Sequence, residues 1–325
     1  MLRHTNHYVA VTILAGAWTT AQAQPAPYAA HFPAKPVRMI VPFAPGGGAD
    51  LGARRIAALL SEHLGQQFVI DNRGGSGGLI GMEIAAHAAP TGYTLLFSSA
   101  SYAATMATRK SAYATLNSLV PVVEVGTSPY VVGVHPSLPD SLKGLLDLAR
   151  DKPGQLSYAS PGVGGLTHLA TELLLHMSKV KILHVPYKGA GVAMPDLLAG
   201  RTPILITPPI ALIPHFRAGR LRALAVTGAA RMPDLPDVPI AADTVPGFVV
   251  MTWYAILAPG GTPRAIVNTL NTAINRIVNE RDLKTSFESQ GIQTTGGTPQ
   301  RAAGIIREDY HRWSKVAREA GITVD

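Results

Sequence analysis

One short unit occurs twice in this sequence: an apolar strand-like run, a glycine-rich turn, and the start of a helix with apolar periodicity. In the first copy, Val37 to Phe43 is apolar apart from Arg38, the pattern of a strand covered on both faces. Pro45 and Gly46 to Gly48 turn the chain. Leu51 to Leu64 then carries Leu51, Ile56, Leu59, Leu60 and Leu64 at helical spacing, and Gly65 stops it. In the second copy, Ser157 to Ala159 leads through Ser160–Gly165 into a helix from Leu166 to Met177. A strand end, glycines and a helix start gather free amide groups at the positive end of a helix dipole. Glycine lets a ligand approach that backbone closely. Such a turn is either an anion site or a plain tight turn, with Asp50 expected as N-cap in both cases. Two of them facing each other form a clamp for a small carboxylate.

The units between and after these copies set the architecture. Phe68 to Ile70 is a strand, Gly74 to Gly78 a turn, Leu79 to Ala88 a short helix and Tyr93 to Ser98 a third strand. This βαβαβ order predicts right-handed crossovers and a parallel sheet. Val122 to Val134 breaks the rhythm at Ser128-Pro129, and a new series follows. It has helices at Ser141 to Asp151, Val192 to Ala199 and near Ala211 to Ala218. Its strands are Lys181 to Val185, Ile204 to Thr207 and Ala223 to Thr227. Trp253 to Leu257 is extended, Pro263 to Asn279 an amphipathic helix, and Pro299 to Ala320 the last helix. The expected fold class is α/β with two lobes, each a mainly parallel sheet flanked by helices. Crossing strands near Glu124–Pro129 and Met251–Ala258 join them. Residues 24–124 with 250–325 form the first lobe, and residues 125–249 the second. Two crossings leave a cleft with a hinge at its base, the geometry of ligand-gated closure.

Other readings fail on the residues present. Arg3, the apolar stretch Tyr8 to Trp18 and Ala21-Gln22-Ala23 read as a signal peptide over residues 1–23, with a soluble, periplasmic mature chain starting near Gln24. The apolar stretch is too short to span a bilayer. The chain of 325 residues has no cysteine, which excludes disulfides, Cys-ligated zinc and Cys nucleophiles. Its net charge of +8 is scattered, Arg54-Arg55 and Lys179/Lys181 being the densest spots, so no nucleic-acid stripe is formed. The 11 histidines are dispersed without metal-ligand spacing, and no metal or cofactor is expected. Gly46, Gly48 and Gly52, with Asp71 at the next strand end, approach a dinucleotide fingerprint. Export, Pro45 and the lack of a nearby His–acid pair argue against it. Gly74-Gly75-Ser76-Gly77-Gly78 matches a hydrolase elbow in form, yet Asn72-Arg73 separate it from its strand. No nucleophile–base–orienter set is visible, so the chain is read as a binding protein rather than an enzyme. The alternatives are an exported hydrolase using Ser76 or Ser160, and a ligand-sensing partner of a membrane kinase.

A run of local motifs carries a family resemblance over nearly the whole mature chain. Lys35 to Phe43 followed by Pro45 to Asp50, Leu64-Gly65-Gln66, Asp71-Asn72-Arg73 and Gly92 to Leu96 come first. His184 to Gly189, Leu221 to Thr227, Asp234 to Pro239, Pro246-Gly247-Phe248 and Ala258 to Pro263 follow in the same order. In this the chain resembles the Bug family, periplasmic substrate-binding receptors of tripartite tricarboxylate transporters. The resemblance implies two hinged lobes of the periplasmic-binding-protein kind. It also implies a carboxylate ligand held largely by backbone amides, and membrane permease subunits as partners of a monomer. Carried onto this chain it singles out Ala44, Pro45, Gly46, Gly47, Gly48, Ala49 and Asp50, then Ser98, Ser99 and Ala100. In the second lobe it singles out Ser160, Gly162, Gly164, Gly165 and Thr167, with Thr207 shaping the far side. Ala104 to Ser118 and Ser160-Pro161 depart from the family pattern beside the cleft. Lys188 reads either as a contact to the anion's far end or as a solvated rim lysine, and His168 as a structural hydrogen-bonder.

Overall fold

A computed structural model of the chain describes residues 31–319, 321, 322 and 324. The expected leader and its cleavage site lie outside the described residues. Among the described residues, no helix is long and apolar enough to cross a membrane.

The chain builds two mixed sheets. The first contains β1 (Val37–Val41), β2 (Phe68–Asn72), β3 (Thr94–Ser99), β4 (Val120–Pro129), β10 (Met251–Ala258) and β11 (Gln293–Thr294), in the order β11-β4-β10-β3-β1-β2. The second contains β5 (Val131–Val134), β6 (Ser157–Ser160), β7 (Leu183–Pro186), β8 (Ile204–Thr207) and β9 (Arg222–Val226), in the order β7-β6-β8-β5-β9. The expected parallel pairs are present: β1 with β2 and β3, and β6 with β7 and β8. The crossing strands run the other way, β10 being antiparallel to β3 and β4, and β5 antiparallel to β8 and β9. The sheets are therefore mixed rather than mainly parallel, because strands arriving from the other lobe enter against the grain.

Helices cover both sheets. They are α1 (Gly48–Leu64), α2 (Leu79–Ala86), α3 (Ser101–Thr108), α4 (Lys110–Leu116), α5 (Leu142–Asp151), α6 (Leu166–Ser178), α7 (Ala190–Leu198), α8 (Ile213–Arg217), α9 (Arg264–Val278), α10 (Arg281–Glu288) and α11 (Pro299–Glu319). The helix α1 buries Ile56, Leu59 and Leu60 and ends at Gly65, whose φ of 68° is the left-handed cap that glycine takes at low cost. It begins at Gly48, earlier than the apolar spacing suggested, and Leu51 faces outward. The helix α3 gave no periodic signal, because Ser101 to Met106 are all buried, on every side of the helix. In α11, Ala302, Ile306, Trp313 and Ala317 pack back on the first lobe, and the Trp253 indole N–H donates to Asp309 Oδ2 at 2.7 Å.

The hinge is compact. The strand β4 stays paired to β10 as far as Pro129 opposite Met251, so the first crossing falls at Tyr130 rather than at the 124/125 boundary read from the sequence. Thr227 pins it to the return path. Its N–H donates to Tyr130 O (2.9 Å), its hydroxyl donates to Val250 O (2.6 Å) and accepts the Tyr130 N–H (2.8 Å), and Val250 N–H returns to its carbonyl (2.9 Å). Both crossing segments are thereby locked edge to edge beneath the cleft, and an apolar cluster containing Tyr130, Val132, Trp253 and Trp313 runs through the hinge into both lobes.

Candidate functional site

Directly above the hinge, the two lobes flank a cavity of about 40 Å³. The starts of α1 and α6 both open onto it. Gly47, Gly48 and Ala49 line it from the first lobe, and Pro161 and Thr167 from the second. Each helix begins after a glycine N-cap, Gly47 or Gly165, with no side-chain capping bond. In α5, by contrast, Ser141 Oγ accepts the Gly144 N–H at 3.2 Å. The first-turn amides of a helix have no partner within the helix. Here two such turns face one small volume, which gathers positive dipole ends and N–H donors around it, the Leu166 N–H of the second being taken by Ser101 Oγ at 3.2 Å. No Lys, Arg, His, Asp or Glu is among the lining residues. The cavity is thus a set of neutral donors suited to an anion, with no countercharge of its own.

Asp50 builds the first turn without touching the cavity. It sits in the first turn of α1, not at the N-cap; Gly47 is the N-cap. The expected capping role is corrected: Asp50 Oδ2 accepts the Gly46 N–H at 2.9 Å and Arg54 Nε at 3.0 Å, and Oδ1 accepts Asn72 Nδ2 at 2.9 Å. Burial works to raise its pKa, but the hydrogen bonds from Arg54, Gly46 and Asn72 outweigh it and hold the carboxyl below its ordinary value. A tethered Gly46 fixes the path of the backbone that leads into the free amides.

Of the residues expected at the site, Gly47, Gly48, Ala49, Ser99, Thr167 and Thr207 line the cavity. Others form the mouth. The Ala44 N–H donates to Lys188 O across the lobes at 3.1 Å, and a Cβ added to Gly191 would stand 3.2 Å from Gly46 Cα and 3.0 Å from the Pro45 carbonyl carbon. On the other flank, a Cβ on Gly162 would lie 2.8 Å from Gly77 Cα. Thr108 Oγ1 donates to Gly164 O at 3.2 Å, Arg109 Nη2 to Val163 O at 3.3 Å and Leu166 N–H to Ser101 Oγ at 3.2 Å. The mouth is therefore closed by backbone packed on backbone, which only residues without a Cβ permit. This gives Gly74, Gly77, Gly162, Gly189 and Gly191 a role that a plain rim turn would not require.

The remaining expected residues stand apart from the cavity. Ser98 is fully buried on the opposite face of β3, and the Ala100 N–H donates to Trp253 O at 3.0 Å. Ser160 Oγ lies 2.6 Å from His184 Nε2, accepts the Gly162 N–H (3.1 Å) and reaches Gly162 O (3.2 Å). His184 is stacked between Tyr158 (4.9 Å) and His168 (4.1 Å), and His168 Nδ1 accepts the Gly164 N–H at 3.2 Å. Burial lowers the pKa of both imidazoles to about 4, with their mutual proximity adding to the effect on His184. This stack underpins the second turn. Ser76 and Lys188 line an outer groove at the mouth, not the cavity.

Two tyrosines at the site were missed in the sequence. Tyr130 and Tyr254 form the floor, both almost fully buried. Burial pushes both phenols well above their ordinary pKa, so each remains a hydrogen-bond donor. A polar-tipped ring inside the otherwise apolar run Trp253–Leu257 was the available signal.

Comparison with known proteins places the chain in a family. Residues 52–322 match the family described as tripartite tricarboxylate transporter family receptor. BugT of Bordetella pertussis is 40% identical over 297 residues, covering 89% of this chain and 90% of that protein. An R. palustris protein solved with adipate is 37% identical, with a TM-score of 0.86 over 90% of this chain and 99% of its own. MatC of Rhodopseudomonas palustris, solved with bound malate, is 30% identical with a TM-score of 0.83, over 88% of this chain and 99% of its own.

Proposed function

Because this chain belongs to the receptor family of the tripartite tricarboxylate transporters, we propose that it captures a small carboxylate between its lobes and delivers it to membrane permease subunits. The observation that carries this reading is the convergence of two helix starts, each behind a glycine N-cap, on one cavity lined by no charged side chain. The family is periplasmic, and adipate and malate bound to two relatives of the same fold support a carboxylate ligand. Cleavage near Ala23 would release the mature chain into the periplasm.

In this reading Gly47, Gly48, Ala49, Ser99, Thr167 and Thr207 meet the ligand, and the glycine seams hold the lobes shut over it. The Ser160–His184 pair is the one arrangement that favours a hydrolase. Its serine is fully buried and bonded to Gly162, and His184 is stacked against two rings. That burial supports a structural role. A thermal-shift screen of the mature protein with mono-, di- and tricarboxylates, amino acids and neutral amides tests the proposal. Stabilisation by a carboxylate that is recovered unchanged supports it, while stabilisation by neutral compounds alone, or turnover abolished by Ser160→Ala, refutes it.

A further inference from the structure

One side chain beside the start of α1 has nothing to bond. Tyr254 lies in β10 opposite Ser99 of β3, 1% exposed, with its ring stacked on Phe97 at a centroid distance of 5.9 Å. Its phenolic oxygen is buried and has no hydrogen-bond partner among the described residues, yet the residue lines the cavity. A Cβ on Gly48 would stand 3.1 Å from that oxygen, which places the phenol beside the first turn of α1. A buried hydroxyl without a partner is costly, and phenylalanine would fill the same space without that cost. The neighbouring Ser101 hydroxyl, by contrast, is engaged with the Leu166 N–H.

We infer that Tyr254 is a specificity-determining residue of this cavity: its O–H and the first-turn amides of α1 donate together to the oxygens of the ligand's carboxylate. This rests on the carboxylate reading above and sharpens it. Donors alone favour a group that only accepts. A carboxamide would turn its NH₂ toward one of them and leave two donors face to face. The cavity therefore selects a carboxylate over the amide of the same shape.

The test is a calorimetric titration of the mature protein. The probe is whichever of acetate, pyruvate, malate, succinate, adipate and citrate stabilises it most, and its amide is titrated beside it. Tyr254→Phe keeps the ring and its stacking. It is expected to weaken carboxylate binding about 10- to 100-fold, the range for one hydrogen bond to a charged group. It should leave the melting temperature of the protein alone unchanged or higher, and should narrow the carboxylate–amide ratio. Equal affinity in wild type and Tyr254→Phe overturns the inference while leaving the receptor reading intact. So does a fall in melting temperature with affinity and ratio unchanged. If no carboxylate binds wild type, the receptor reading itself fails. Gly48→Ala supplies a second variant. Its Cβ would stand 2.9 Å from Ile210 Cγ2 and 3.1 Å from the phenol oxygen, crowding the space beside that oxygen, and binding should be lost. Full binding by Gly48→Ala would overturn the inference too.

Discussion

Replacing Gly191 by alanine should separate closure from folding. Gly191 lies in the first turn of α7, where alanine is a better helix former than glycine by up to about 1 kcal/mol. With the lobes apart, the added methyl therefore costs the second lobe nothing. With the lobes closed, it would stand 3.0 Å from the Pro45 carbonyl carbon and 3.2 Å from Gly46 Cα, with the Pro45 carbonyl oxygen closer still. Carbon atoms settle at about 3.5–4.0 Å, so the rims must part by about 1 Å or more. That opening stretches Ala44 N···Lys188 O from 3.1 Å to a separation at which it is no longer a hydrogen bond. It also loosens the Leu166–Ser101 and Thr108–Gly164 bonds on the other flank. One to three bonds at about 1 kcal/mol each make the closed state weaker by about 1–3 kcal/mol, a loss of about 5- to 150-fold in affinity. Titration calorimetry reads the affinity, and a melting curve without ligand reads the fold. Undiminished affinity in Gly191→Ala would show that the glycine seam does not set closure, and a large drop in melting temperature without ligand would show that the residue serves the fold instead.

Two further outcomes are expected. Gly304 sits inside α11 with open space where a Cβ would go, so Gly304→Ala should raise the melting temperature slightly, by up to about 1 kcal/mol of stability, and leave binding alone; weaker binding would count against a local account of the mouth. His168 and His184 titrate near 4 in the fold against 6.5 in an open chain, so between these values the unfolded state binds more protons. Stability should be full above about pH 6.5 and fall as pH drops toward 4, with a flatter melting profile in His184→Gln; identical profiles would remove the stacked pair from the explanation.

Much of the frame was legible because its physics is local. The turn at Gly46–Gly48 and the helix ending at Gly65 are written in glycine and in apolar spacing. The helix α3 was not, since a helix buried on all sides carries no amphipathic stripe. Nor did Asp50 reveal its place: its partners Gly46, Arg54 and Asn72 are fixed only once β2 is laid beside β1. The cavity floor was hidden for the same reason. Tyr254 reads as packing in its own strand, and only the approach of β3 and α1 places its hydroxyl beside the first turn of α1 at the cavity floor. The glycines of the mouth announced a close approach, but their partners lie in the other lobe. Gly77 meets Gly162, and Gly191 meets Pro45 and Gly46, contacts between segments far apart in the sequence.

The central claim is that a neutral cage of amides and hydroxyls between two closing lobes holds a carboxylate. Its most direct measurement is a paired calorimetric titration of the mature protein with carboxylates from acetate to citrate and with their amides. At least one carboxylate should bind, its amide should bind at least about 10-fold more weakly, and the acid should be recovered unchanged. An amide that binds as tightly as its acid, or an acid consumed during the titration, would contradict it.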